Sequence, residues 1–342
     1  MTRQLKRELL RRCAVLLAAA LLLRSAALWG PPLLERLTIP GAGQLRSLFS
    51  HSDAGQVPRP AETVPAADEA TERELPPLRF RDLPEETPQE TTISAALPAF
   101  TAEEAAAITI SGNCTLDYDK ETLLLAPLDV PPASDGPQVL IVHTHSTEAY
   151  TIEPGWEYEE TELCRTLDPD RSVIRLGQEI AAILEDRGIS VLHDTTVNDY
   201  PAYAGSYDRM AAVIQAYLDQ YPSIRMVLDV HRDAFENADG SLGGTAVDGR
   251  ARVMLVVGTD QGGLYHPNWQ GNLSFALKLE ALMNQNSPGL TRGISLCTQR
   301  YNQNLTPLSL LAEFGAAGDT LAEALAAARD FAVSLAELLA AI

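Results

Sequence analysis

Apolar positions along the last two thirds of the chain fall into two alternating rhythms, and their alternation sets the expected fold. Short runs rich in β-branched residues read as strands: Val139 to Val142, Ile189 to Leu192, Ile224 to Val230, Arg252 to Val257, Gly293 to Thr298 and Leu308 to Ala312. Between them apolar residues recur at helical spacing, as Val173, Leu176, Ile180 and Ile183 after Ser172, and as Met210, Val213, Ile214, Tyr217 and Leu218 after Ser206. Gly188 and Pro222 stop these two helices, and a third is expected over Asn272 to Asn286. A last helix opens on a capping box, Thr320 with Glu323, and carries Leu321, Leu325, Phe331, Leu335, Leu338 and Leu339 inward. Strands alternating with helices predict one α/β domain over residues 137–342, built on a mixed, mostly parallel sheet flanked by helices.

Upstream the rhythm is lost. Arg3, Lys6, Arg7, Arg11 and Arg12 form a basic tail over residues 1–12, succeeded at 13–30 by an apolar stretch that Arg24 interrupts. This order leaves the tail in the cytoplasm and exports the rest of the chain, with 13–30 as a transmembrane anchor or as a signal peptide cleaved after Ser25-Ala26-Ala27. Residues 31–136 are expected to be a juxtamembrane segment and an acidic tether, because Pro, Ala, Thr, Glu and Asp dominate from about Ser50 to Ala99. A formal charge of -20 excludes a nucleic-acid binder, since phosphate contacts need clustered Lys and Arg. Cys13, Cys114, Cys164 and Cys297 lack the close spacing of a zinc ribbon, and a disulfide between two of the last three stays open.

Three expected strands deliver metal-competent residues at their C-terminal ends, where open α/β sheets hold ligands. His145 and Glu148 have the spacing His-x-x-Glu, and His231 supplies a third ligand. Two His and one Glu leave a tetrahedral position for water, the arrangement of a catalytic zinc site. Glu313 then serves as general base and acid. His143 competes with His145 for the first ligand place and is otherwise a supporting or substrate group. Arg232 is a candidate to pair with a carboxylate or to steady an oxyanion, while Asp229 and Asp233 are expected to support the ligands.

The segments His143-Thr144-His145-Ser146-Thr147-Glu148-Ala149-Tyr150, His193-Asp194-Thr195-Thr196, Asp199-Tyr200-Pro201, Ser206-Tyr207, Asp229 to Ala234, Arg300 to Leu305 and Leu311 to Gly315 together resemble the stage II sporulation protein P family. The resemblance implies a single-pass protein at the mother-cell side of the sporulation septum, with an exported zinc-dependent domain. That domain is expected to act as N-acetylmuramoyl-L-alanine amidase and as endopeptidase on peptide cross-links during engulfment. It also implies stage II sporulation proteins D and M as partners, and a fold similar to zinc-dependent cell-wall amidases. Those amidases take a carboxylate ligand from the start of the first helix, where this chain has Ser172; Glu148, or a glutamate between Glu153 and Glu162, must replace it. Two rivals remain. A secreted zinc carboxypeptidase needs a fixed Arg for a terminal carboxylate, which the sequence does not identify. A non-catalytic wall-binding domain has no use for His231 and Glu313 at strand ends.

Overall fold

The computed structural model describes residues 99–342. The expected anchor at 13–30 and the tether up to residue 98 lie outside the described residues, among which no helix is long and apolar enough to cross a membrane. The elements are α1 (Ala102–Ala107), β1 (Ile110–Gly112), α2 (Lys120–Leu125), β2 (Val139–Val142), α3 (Val173–Glu185), β3 (Val191–His193), α4 (Ser206–Gln220), β4 (Met226–Asp233), β5 (Val253–Gly258), α5 (Trp269–Asn286), β6 (Thr291–Cys297), β7 (Leu308–Ala316) and α6 (Leu321–Ala340). The described strands form one sheet in the order β1-β6-β5-β7-β4-β2-β3, parallel throughout except where β5 meets β7. The mixed, mostly parallel sheet is therefore as expected.

Two cores of unequal size flank the sheet. On one face α3, α5 and α6 cover Val139, Leu228, Leu255, Ile294 and Leu310, all at most 1% exposed. Both faces of β2 are buried, which is why it reads as an unbroken apolar run. The other face carries a smaller core, in which Met210, Ile214 and Tyr217 of α4 pack on Leu140, Val142, Leu192 and Val227 of β2, β3 and β4. The capping box at α6 forms as expected, with Thr320 and Glu323 each closing on the other's backbone N–H.

Two differences from the sequence reading bear on the site. The folded unit begins well before residue 137. β1 pairs in parallel with β6, and α2 packs on α5, where the Ser274 hydroxyl donates to the Leu123 carbonyl at 2.7 Å. These elements are three to six residues long, too short to show a period above the surrounding polar residues. In addition β4 runs through His231 to Asp233 and β7 runs through Glu313 to Ala316, so both candidate residues sit within strands, opposite one another in register.

Candidate functional site

The turn after β2 is held rigidly from two sides. Asp229 of β4 accepts the Thr144 backbone N–H at 2.8 Å and the Thr144 hydroxyl at 2.6 Å. Asp199, in the loop after β3, accepts from the Ser146 hydroxyl at 2.9 Å, the Thr147 N–H at 3.0 Å and the Thr147 hydroxyl at 2.8 Å. Arg165 closes the set from above, 2.7 Å from Asp199 Oδ2 and 3.6 Å from Glu148 Oε1, with its guanidinium over the Tyr203 ring. A small polar turn needs such external acceptors, because its own backbone cannot satisfy its buried donors. The result is that His145 and Glu148 are presented at fixed positions.

His145, Glu148, His231 and Glu313 come together there. Glu148 Oε2 lies 3.4 Å from His231 Nδ1, and the rings of His145 and His231 stand perpendicular with centroids 5.2 Å apart. His231 Nε2 lies 2.9 Å from Asp229 Oδ1, but too far off line for a hydrogen bond. Tyr203 stacks on His145, the rings within 10° of parallel and 4.4 Å apart. Its hydroxyl forms a hydrogen bond with His145 Nε2 at 3.0 Å.

Burial and mutual charge set the ionisation of the cluster. Burial would lower His231, yet the carboxylates of Asp229 and Glu148 raise it well above the usual histidine value. Burial would raise Glu148, yet His231 and Arg232 hold it well below the usual carboxylate range. Burial lowers His145 to about 4, which leaves a neutral imidazole. Glu313 behaves differently from Glu148: burial pushes it up to about 8, with Glu148 and Asp233 adding to the rise against the pull of His231 and Arg292. Its Oε2 is buried and has no hydrogen-bond partner.

Two expected members are turned away. His143 Nδ1 donates to the Val230 carbonyl at 3.1 Å, and its Nε2 lies 2.8 Å from His193 Nε2. His143 is therefore tied into a buried imidazole pair beneath α3, where Gly177 leaves room for it: a Cβ there would come within 2.9 Å of both rings. The Arg232 guanidinium donates to the carbonyls of Ala149 at 2.8 Å and Cys164 at 2.9 Å, and only its backbone N–H reaches Glu148 Oε2. It braces the loop over the site instead of facing a carboxylate. Ser172 caps α3 by accepting the Ile174 N–H, Cys114, Cys164 and Cys297 are free thiols, and Glu160 of the 153–162 loop is spent on the Cys164 N–H. Asp199, Tyr203, Tyr207, Arg165 and Arg292 were given no role by the sequence, since none shares a ligand spacing with the histidines.

A family profile described as stage II sporulation protein P matches residues 70–336. The chain belongs to the stage II sporulation protein P family. Stage II sporulation protein P of Bacillus subtilis (strain 168) is 29% identical over 233 residues, which cover 63% of this chain and 52% of that protein. The chain thus spans about half the length of the curated relative it matches. Solved structures to which the chain is similar include the N-acetylmuramoyl-L-alanine amidase AmiC2 of Nostoc punctiforme, at TM-score 0.34 and 14% identity over 60% of this chain and 97% of that one. Ami1 of Mycobacterium abscessus, at TM-score 0.35 and 13% identity, covers 59% and 96% respectively. The catalytic domain of CwlV from Bacillus (Paenibacillus) polymyxa var. colistinus, at TM-score 0.32 and 9% identity, covers 59% and 95%.

Proposed function

We propose that the chain is a peptidoglycan hydrolase that cleaves the amide between N-acetylmuramic acid and L-alanine, and also peptide cross-links, during septal wall remodelling in sporulation. Membership of the family supports the setting. The observation that carries the chemistry is Glu313: a partly buried carboxyl with an unpartnered oxygen, directly opposite His231 in register. A carboxyl so placed takes a proton from the attacking water as oxygen adds to the scissile carbonyl, then delivers it to the amine as the C–N bond breaks. A high proton affinity suits both halves of that task.

The donor set fits a zinc ion. His145 and His231 face each other across the site, Glu148 is within 3.4 Å of His231, and burial keeps the His145 imidazole neutral, the form that ligates a metal. Among the described residues no three such groups are yet placed to hold one metal ion, because His231 Nδ1 points at Glu148 and Nε2 toward Asp229. Glu148, Asp229 and Asp199 nevertheless crowd carboxylates around the two imidazoles, balanced by Arg165, Arg232 and a protonated His231 whose proton a metal ion would displace. Zinc bound by His145, Glu148 and His231 would polarise the scissile carbonyl and make a water acidic near neutral pH. Asp229 would then steady His231 from behind.

On this reading residues 13–30 anchor the protein in the cytoplasmic membrane and the hydrolase domain lies outside it, on the mother-cell side of the septum, working with stage II sporulation proteins D and M. The test is Glu313→Gln, assayed for zinc content and muropeptide release on one preparation. Zinc and fold should be retained while the turnover number falls about 10²- to 10⁴-fold. Full zinc with parental release would remove Glu313 from the chemistry.

A further inference from the structure

The sheet face that carries Glu313 is only partly roofed. In register Met254 lies opposite Glu313 and Ser295 opposite Val256, so these side chains share one face of β7, β5 and β6. The helices packed on β5, β6 and β7 bury the reverse face, where Val253, Leu255 and Leu296 are at most 2% exposed. Met254, Arg292, Ser295 and Cys297 are half-buried, and the core beneath α4 reaches only β2, β3 and β4. The open part of this face thus starts at Glu313. At its other end the chain turns through Tyr301 and Asn302, both left-handed at φ 50° and 57°. Two consecutive non-glycine residues in that region are costly and persist only when clamped. Asn302 donates to the Tyr207 carbonyl at 2.8 Å, and Gln303 bonds to the Val256 carbonyl and the Gly258 N–H, each at 2.8 Å. The clamp holds the Tyr301 ring against Tyr207, with centroids 5.6 Å apart.

Arg292 is the cation of this open face. It leaves β6 where the register with β5 is irregular, and its Nη1 and Nη2 both lie 3.0 Å from Asp233 Oδ2 at the end of β4. β5 and β7 separate β6 from β4, so the side chain lies across the strands beside Glu313 and its charge is felt at that carboxyl. Asp233 engages two of the five guanidinium N–H groups through a single oxygen, Nε is buried without a partner, and the second hydrogens of Nη1 and Nη2 are the donors left over. A guanidinium fixed in this way keeps donors for a second, planar anion.

We propose that Arg292 is a specificity-determining residue that binds a free carboxylate of the substrate peptide close to the scissile amide. The placement rests on Glu313: Arg292 lies beside that carboxyl on the open face, so a substrate whose flanking peptide crosses β5 and β6 meets it. In a chain of net charge -20 an acidic peptide is otherwise repelled, so one fixed cation beside the reacting bond discriminates strongly. This inference rests on the amide-hydrolase reading of the site.

The experiment compares two soluble N-acetylmuramoyl peptides that differ only in whether the carboxyl of the residue after L-alanine is free or amidated. The zinc-loaded parent should prefer the free acid by about tenfold in kcat/KM, mainly through KM, as loss of one charged contact predicts. Arg292→Gln should cut the preference to within about twofold, and Arg292→Lys, which keeps charge without the fork, should fall between. Calorimetric binding of both peptides to Glu313→Gln protein separates this inference from the parent reading. Preferential binding of the acid without cleavage by the parent would sink the hydrolase reading and leave Arg292 standing. Equal handling of the two peptides by the parent, or a loss in Arg292→Gln that keeps the acid-to-amide ratio, overturns the proposal. Should Arg292→Gln fail to fold, Arg292→Lys with an unchanged ratio does the same.

Discussion

Glu280 lies inside α5, 1% exposed, and its burial ties the stability of the fold to pH. Its Oε1 accepts the Thr291 hydroxyl, while Oε2 is buried with no partner. Burial pushes the carboxyl from 4.5 up to about 7, against the smaller pull of Thr291, Asn284 and Arg252. A folded-state value above the unfolded one means that the folded protein binds the proton more tightly. The stabilisation from the neutral acid is therefore complete below about pH 4.5 and is lost as pH rises toward 7. At 1.36 kcal/mol per tenfold change in proton affinity, the loss amounts to about 3 kcal/mol above pH 7. Glu280→Gln stays neutral at every pH. Its orphaned amide donors carry a fixed penalty of about 1–3 kcal/mol, which does not vary with pH. Urea unfolding of parent and variant at pH 4.5, 6 and 8.5 should thus show the variant gaining about 3 kcal/mol on the parent between the two extremes. A stability difference that does not move with pH would refute the argument, since it would mean that Glu280 is charged in the folded state throughout.

The site and the domain boundary give further expected outcomes. Glu148→Ala and His231→Ala should each lose bound zinc, whereas His143→Ala should keep it and lose about 1–3 kcal/mol of stability, because His193 is left with an unpartnered buried nitrogen; zinc content and thermal unfolding check both. Gly177→Ala puts a Cβ 2.5 Å from His193 Nε2 and 2.7 Å from His143 Nε2, so it should destabilise by about 1–3 kcal/mol, and adding His193→Ala should recover part of that in the same unfolding assay. A protein starting at residue 137 lacks β1 and α2, which bares the β6 edge and the α5 surface; it should unfold at lower temperature than one starting at residue 99.

The class of fold and the residues of the candidate site are written in the local pattern of the chain. Long elements such as α6, with its capping box and apolar stripe, announce themselves because their periods repeat over several turns. β2 and the first half of β4 do so because a parallel strand buried on both faces is apolar wherever it carries no site residue. His145, Glu148, His231 and Glu313 were legible because polar residues at the ends of apolar runs have no packing reason to be there. Whatever depends on side-chain direction, or on contacts between distant segments, is settled by the folded chain alone. His143 and His145 differ by two positions, yet one is tied to His193, 50 residues on, and the other faces His231. Asp199 grips the Ser146-Thr147 turn from a loop that carries no ligand spacing. Arg292 reaches Asp233 across two intervening strands, 59 residues away in sequence. β1 and α2 belong to the domain although neither is long enough to show a period, because their stability comes from β6 and α5 rather than from themselves. Local periodicity records which face of an element is buried; which residues meet across the sheet is set by the order β1-β6-β5-β7-β4-β2-β3, and no local pattern encodes that order.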